Sequence, residues 1–261
     1  MTFTIWQALL VGLWAAFCFA GQVWGTYTNR ALFISFGVGL ILGDLKTAVI
    51  FGATAELAFM GFGVGPGGST PPNPLGPGIV GSILAITMHK LSPAAALTLS
   101  YPFAMLVPFI ITLIFTINSG SMESARKAIK EGKYHKFNLM SNVTLWEFML
   151  FAFVFGFAAT LSTSALRAFV QMIPTWLMNG LTVVGGLLPA VGFALIMSTM
   201  LKKEYIPAVV FGYICVAYLK IPVIGLTFVG IAIALNNYYN SKKSSAVNSD
   251  SENAGGAEDG I

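Results

Sequence analysis

The chain has 261 residues, of which 56% are hydrophobic and 9% charged, with a net charge of +4 and a mean hydropathy of +0.79. Soluble globular domains carry about 25% charged residues, so charges this sparse exclude an ordinary water-soluble enzyme. They predict an all-α, polytopic integral membrane protein.

Residues 1–29 contain no Asp, Glu, Lys or Arg and predict the first span. A helix rises about 1.5 Å per residue, so Trp6 and Trp24 would lie about 27 Å apart, as aromatic anchors at two membrane interfaces do. No basic region opens this run and no small-residue cleavage site precedes Thr26-Tyr27-Thr28-Asn29, so it reads as a retained helix rather than a signal peptide.

Residues 31–43 and 47–55 are apolar runs, each too short to cross, joined by Gly43-Asp44-Leu45-Lys46-Thr47 and followed by Glu56. An ionisable group in a membrane costs roughly 2.5–3.5 kcal/mol on insertion scales and by default marks a functional site. Paired short, glycine-punctuated segments are also the pattern of a discontinuous or re-entrant helix beside a transport site. An interfacial loop at Asp44 and Lys46 is the plainer alternative, with Glu56 capping or pairing locally; for Glu56 the functional reading is preferred.

In residues 65–78, GPGGSTPPNPLGPG, Gly and Pro predominate, which predicts neither helix nor regular strand. Uncharged and set between apolar segments, this loop either lines a polar pathway at membrane depth or is an external loop of tight turns. The charge-free stretches 57–89, 91–122, 148–166, 168–201, 205–219 and 221–241 are mostly expected to hold one span each, the longest two a span plus a turn or a re-entrant piece.

Arg126, Lys127, Lys130, Lys133 and Lys136 cluster in the loop 118–142, which the positive-inside rule places in the cytosol. Basic residues confined to membrane-flanking loops do not form a nucleic-acid surface. Parity puts Lys202-Lys203 and Lys242-Lys243 on the same face; the side of the N-terminus stays open, because residues 31–62 either cross once or enter and return. Ser121 to Gly132 reads as a short surface helix with Glu123 and Lys127 paired. From about Ser241 to Ile261 the polar composition predicts a disordered cytosolic tail, leaving residues 1–240 as one integral membrane domain.

No phosphate-cradling loop, metal-spaced histidine pair or serine elbow occurs. His89 reads as interfacial, His135 as solvated, Cys18 and Cys215 as packing residues, and Glu147 and Arg167 as isolated. No catalytic residue, metal or cofactor is expected, and the sequence points to translocation rather than bond-making. Gln22, Thr47, Thr54, Ser69, Thr70, Asn73 and Asn179 supply neutral hydrogen-bonding groups near the two anomalous segments. A carboxylate with amides and hydroxyls is suited to sugar hydroxyls, since the carboxylate accepts while an amide both donates and accepts.

Asn29-Arg30-Ala31-Leu32, the run from Gly39 through Gly43-Asp44-Leu45-Lys46-Thr47, and Gly52-Ala53-Thr54-Ala55-Glu56 through Gly61 resemble the N-terminal block of the IIC subunit of the mannose/fructose/sorbose-type, N-acetylgalactosamine-like phosphotransferase system (PTS). Asn179-Gly180-Leu181, Gly185-Gly186 and the run through Met197 resemble its second half. The resemblance implies a bacterial cytoplasmic-membrane permease subunit that is no enzyme by itself. It would form an oligomeric complex with a IID membrane subunit, while IIA and IIB components carry phosphate to the incoming sugar. It further implies a sugar site built from Gln22, Asp44, Lys46, Thr47, Glu56 and Asn73. The family often has His where this chain has Asn29, Pro where it has Ala31, and Asp-Pro where it has Asn73-Pro74. Exchanging Asp for Asn adds a donor, which suits an N-acetylated amino sugar or a uronate-containing sugar better than mannose. An ion-coupled secondary transporter using Asp44 and Glu56, or a non-transporting scaffold, are the other classes consistent with the residues.

Overall fold

The computed structural model describes residues 3–61, 71–88 and 91–254, with side chains as far as Tyr239. The expectations for residues 65–70, including Ser69 and Thr70, and for His89 lie outside the described residues. Two compact units divide the chain, Met1–Met200 and Leu201–Ile261. Both are helical, without strands among the described residues.

In the first unit α1 (Ile5–Trp24) opens on a capping box, in which Thr4 and Gln7 satisfy each other's main-chain N–H groups. Trp6 and Trp24 are exposed at its two ends. α2 (Ala31–Leu42) folds back antiparallel along it: Thr28 Oγ1 donates to the Cys18 carbonyl at 3.0 Å, Trp14 Nε1 to that of Ile34 at 3.1 Å and Gln7 Nε2 to that of Ile41 at 3.4 Å. Gly43, at φ +87°, makes the turn into α3 (Leu45–Phe59), a left-handed conformation that a side chain would strain. At about 1.5 Å per residue α2 and α3 reach roughly 18 and 22 Å, short of the roughly 30 Å of hydrocarbon. Here the expected broken pair is present.

The next segment departs from expectation. Residues 71–73 are irregular, but the chain is helical from Leu75, passes through a π-helical turn at Pro77–Gly81 and continues as α4 (Ser82–Thr87). Pro74 and Pro77 stand in its first turn, where the missing N–H has no intrahelical partner to lose. Gly76, Gly78 and Gly81 admit close neighbours: a methyl on Gly76 would lie 2.6 Å from the Phe103 carbonyl oxygen, one on Gly78 2.8 Å from the Ile34 side chain, and one on Gly81 would run into the Phe51 ring. Composition that reads as helix-breaking here starts a half-helix and packs it tightly. Leu75, Ile79 and Ile83 are fully buried, in one core with Phe19, Ile34, Val107 and Phe148. Among its described residues, stretch 57–89 holds the end of α3 and this half-helix, the re-entrant piece expected of a long charge-free stretch.

α5 (Pro93–Ile117) is capped by Ser92 and leads through a 3₁₀ turn, Asn118–Gly120, into α6 (Ser121–Lys130). Glu123 and Lys127 pair at 3.9 Å along α6, and Gly132, at φ +70°, lies just beyond it. α7 (Tyr134–Ser141) follows, preceded by Lys133, which donates to Glu131 at 2.8 Å and holds its carboxyl below the usual range. α8 (Val143–Leu161) runs antiparallel to α1, with Phe19 against Phe148 at 5.3 Å and Gly156 against Val11 and Ala15. It is also antiparallel to α5, where Phe115 meets Phe148 and Phe103 meets Phe155. Near the shared end Asn118 Nδ2 donates to Glu147. The C-terminal end of α1 therefore lies on the same side as the basic loop 118–142.

α9 (Thr163–Gln171) sends Arg167 Nη2 to the Thr87 carbonyl at 2.8 Å, at the end of α4. α10 (Thr175–Met200) packs on α5 and α3 through glycines: Gly185 abuts the Ala94 carbonyl, and Gly192 lies on the carbonyls of Leu57 and Ala58. By length and apolarity the candidate spans are α1, the continuous segment from α5 into α6, α8 and α10.

The second unit holds a 3₁₀ turn, Lys203–Tyr205, then α11 (Ile206–Ala217) and α12 (Val223–Ala254). α12 continues past Ser241 into the stretch whose composition predicts a disordered tail. Neither Gly nor Pro occurs between Gly230 and Gly255 to interrupt it.

Candidate functional site

Three chain segments that the fold brings together enclose a cavity of about 400 Å³: the end of α1 with the following loop, the facing ends of α2 and α3, and the approach to the half-helix at 71–74. Pro108 and Ile111 of α5 close its apolar side.

Two polar systems line it. In the first, Arg30 Nε meets Glu56 Oε1 at 2.7 Å while Glu56 Oε2 accepts the Leu32 N–H at 3.2 Å, so one carboxylate joins the start of α2 to the end of α3. In the second, Gln22, Asn29 and Asn73 form an amide cluster. Asn29 Nδ2 donates to Gln22 Oε1 at 2.9 Å and to Asn73 Oδ1 at 3.4 Å, and Asn73 Nδ2 donates to Gln22 Oε1 at 3.4 Å. The main chain anchors the cluster, because Asn73 N donates to the Ala104 carbonyl and Leu75 N to Asn73 Oδ1, both at 2.9 Å. Asn29 Oδ1 is buried and has no hydrogen-bond partner among the described residues. Buried polar atoms are nearly always satisfied, so this acceptor is suited to a ligand's donor. Asn73 also sits where the half-helix begins, at the positive end of its dipole.

Of the residues singled out from sequence, Gln22, Glu56 and Asn73 meet at this cavity, whereas Asp44, Lys46 and Thr47 do not line it. They stand at the other end of α3, about 18 Å from Glu56 at 1.5 Å per residue. There Asp44 caps the helix, accepting the Thr47 N–H at 3.1 Å, and Lys46 is exposed. Asp44→Ala is expected to lower stability by about 1 kcal/mol, the usual worth of an N-cap, with uptake per inserted molecule retained; thermal unfolding in detergent beside an uptake assay checks both. Thr54 bonds only back to its own helix at Ile50, and Asn179 is exposed on α10. Arg30 and Asn29 join the site although neither stands out by its own chemistry. The available signal was position: Arg30 is the first charge of the chain and follows its first polar run.

Residues 5–236 match the family described as the sorbose-specific IIC component of the PTS system. The chain is 32% identical over 215 residues to the N-acetylgalactosamine permease IIC component 1 of Escherichia coli (strain K12), covering 82% of this chain and 80% of that protein. It is 26% identical over 238 residues to the mannose-specific EIIC component of the same strain, with 90% and 89% covered. A solved membrane protein shares the fold at a TM-score of 0.82 and 24% identity, over 91% of this chain and 96% of that one. A chain in the cryo-EM structure of the mannose transporter ManYZ with microcin E492 aligns at a TM-score of 0.58 and 25% identity, over 92% and 97%. The ion-coupled reading has no counterpart among these relatives.

Proposed function

The chain belongs to the sorbose-type IIC family of the phosphotransferase system, a membrane component that works with other subunits of that system, and from this premise we propose that it carries a hexose or amino sugar through the cavity beside Glu56. The observation that carries the proposal is the convergence of Gln22, Asn29 and Asn73 on the Arg30–Glu56 pair, an assortment of donors and acceptors fitted to sugar hydroxyls. The sugar is handed to a IIB component, which IIA has phosphorylated, and a IID subunit completes the membrane complex in the bacterial cytoplasmic membrane. The position of Gln22 supports this order. It lies near the end of α1 that shares a side with the basic loop 118–142, the side on which a phosphocarrier acts.

Two experiments bear on this reading. Uptake into vesicles should require phosphoenolpyruvate and the soluble components and deliver phosphorylated sugar; accumulation of free sugar that collapses with an ion gradient would contradict it. The antiparallel packing of α1 and α8, with the basic loop in the cytosol, supports an external N-terminus. In a chain with Cys18 and Cys215 replaced, Thr4→Cys is expected to react with an impermeant maleimide in intact cells, and Ser124→Cys only after lysis. The reverse pattern would invert the orientation.

A further inference from the structure

The cavity is electrically neutral, and its hydrogen bonds have a set polarity. Arg30 and Glu56 are its only charged lining residues among those described, and they neutralise each other at 2.7 Å. Residues 62–70 contain no ionisable side chain. The polarity of the amide cluster starts from the main chain. The Leu75 N–H can only donate, which makes Asn73 Oδ1 an acceptor and turns Asn73 Nδ2 toward Gln22 Oε1. Gln22 Oε1 in turn takes Asn29 Nδ2, and Asn29 Oδ1 is left as a buried acceptor without a partner among the described residues. A ligand that completes this arrangement brings an N–H or O–H and no net charge. An ammonium group would lose its hydration in a cavity with no unpaired anion among the described residues.

We propose, resting on the assignment of this cavity as the sugar site, that it admits uncharged sugars, hexoses and N-acylated hexosamines, turns away their ammonium counterparts, and that Asn73 sets this selection. Asn73 is the position where a charge can be added while the main-chain anchor is kept. An aspartate there keeps an oxygen for the Leu75 N–H and for Asn29 Nδ2, and its second oxygen is satisfied once the Gln22 amide turns its Nε2 inward. The start of the half-helix favours an anion at that place. The substitution therefore keeps the main-chain bond from Leu75 and the contact with Asn29, gives up the bond between Asn29 and Gln22, and adds one negative charge to a cavity that had none unpaired.

The test uses the complete complex of this chain with its partner subunits in nanodiscs. Equilibrium binding is measured for three pairs: N-acetylgalactosamine with galactosamine, N-acetylglucosamine with glucosamine, and mannose with mannosamine. For the pair that binds, the uncharged member is expected to bind at least about tenfold more tightly, and Asn73→Asp to reduce that ratio by about tenfold or more, since one charge-assisted hydrogen bond is worth about 1.5–3 kcal/mol. Equal or tighter binding of the ammonium sugar by the unmodified protein, or an unchanged ratio in Asn73→Asp, overturns the selection. If Gln22→Ala leaves the uncharged sugar's affinity intact, the sugar binds elsewhere and the site assignment itself fails; binding of no sugar overturns both. Should Asn73→Asp not assemble, Asn29→Asp places the carboxylate one amide away and carries the same comparison.

Discussion

Glu56→Gln is expected to lower sugar uptake by about 10- to 150-fold while the protein inserts normally. The loss follows from donors and acceptors. Glu56 accepts from Arg30 Nε with one oxygen and from the Leu32 N–H with the other. Glutamine has a single oxygen, so whichever way its amide turns, its NH₂ faces another donor. A hydrogen bond to a charged group is worth about 1.5–3 kcal/mol, and each 1.4 kcal/mol is about tenfold, which sets the range. The effect on global stability is smaller, on the order of 1 kcal/mol, because the Arg30 and Glu56 side chains are 43% and 21% exposed and partly screened. Uptake of a labelled sugar, normalised to the amount of protein in the membrane fraction, measures the change. A second substitution sharpens it: in Arg30→Gln/Glu56→Gln the two amides can complement each other, so the double variant should recover part of the loss. Unchanged uptake in Glu56→Gln would remove the residue from the site and favour a scaffold.

The largest effect on stability is expected at Gly185. A methyl group there would run into the Ala94 carbonyl, and the Thr98 hydroxyl that joins the helices, donating to the Leu181 carbonyl at 2.8 Å, is beside it. A main-chain oxygen cannot swing aside as a side chain does, so Gly185→Ala must part α10 from α5. Overpacking costs about 1–3 kcal/mol and occasionally more; with about 2–4 °C per kcal/mol for a unit of this size, the melting temperature should fall by about 5 °C or more. Gly186 is the control beside it, with no atom within 4 Å of an added methyl, and Gly186→Ala should change the midpoint by no more than about 1 °C. Equal responses from the two would mean that α10 does not rest on α5 through Gly185. Thermal unfolding of the detergent-solubilised chain separates the outcomes.

What could be read from the residues followed the range of the interaction. Placement of α1, α5 and α10 was legible because each fills a gap between charges, that of α8 only in part because it starts ahead of Glu147, and the short pair α2–α3 because its two runs cannot reach across a bilayer. The half-helix after Asn73 was not. Its Pro and Gly content argues against helix locally, and only contact with α2 and α5, distant in sequence, shows that the prolines occupy a first turn and the glycines admit neighbours. The candidate site divides in the same way. Glu56 stands out as a carboxylate in an apolar segment, but its pairing with Arg30 spans a helical hairpin, and the contact between Asn29 and Asn73 joins residues 44 apart. Asp44 looked like Glu56 from sequence because both are carboxylates in a broken hydrophobic region. Their difference lies in what they face, since the Thr47 N–H three residues on accounts for one and a distant guanidinium for the other.

On the proposed assignment of this cavity as the sugar site, and with Arg30 and Glu56 held 2.7 Å apart, its described walls bring no net charge to the movement that passes a sugar across. A membrane potential acts on each displaced elementary charge with about 2.3 kcal/mol per 100 mV. Neutral walls around a neutral sugar give that potential nothing to act on. Passage is then electrically silent, equally open to a polarised and a depolarised cell, and its direction comes from the phosphate waiting at the inner face rather than from the voltage across the bilayer.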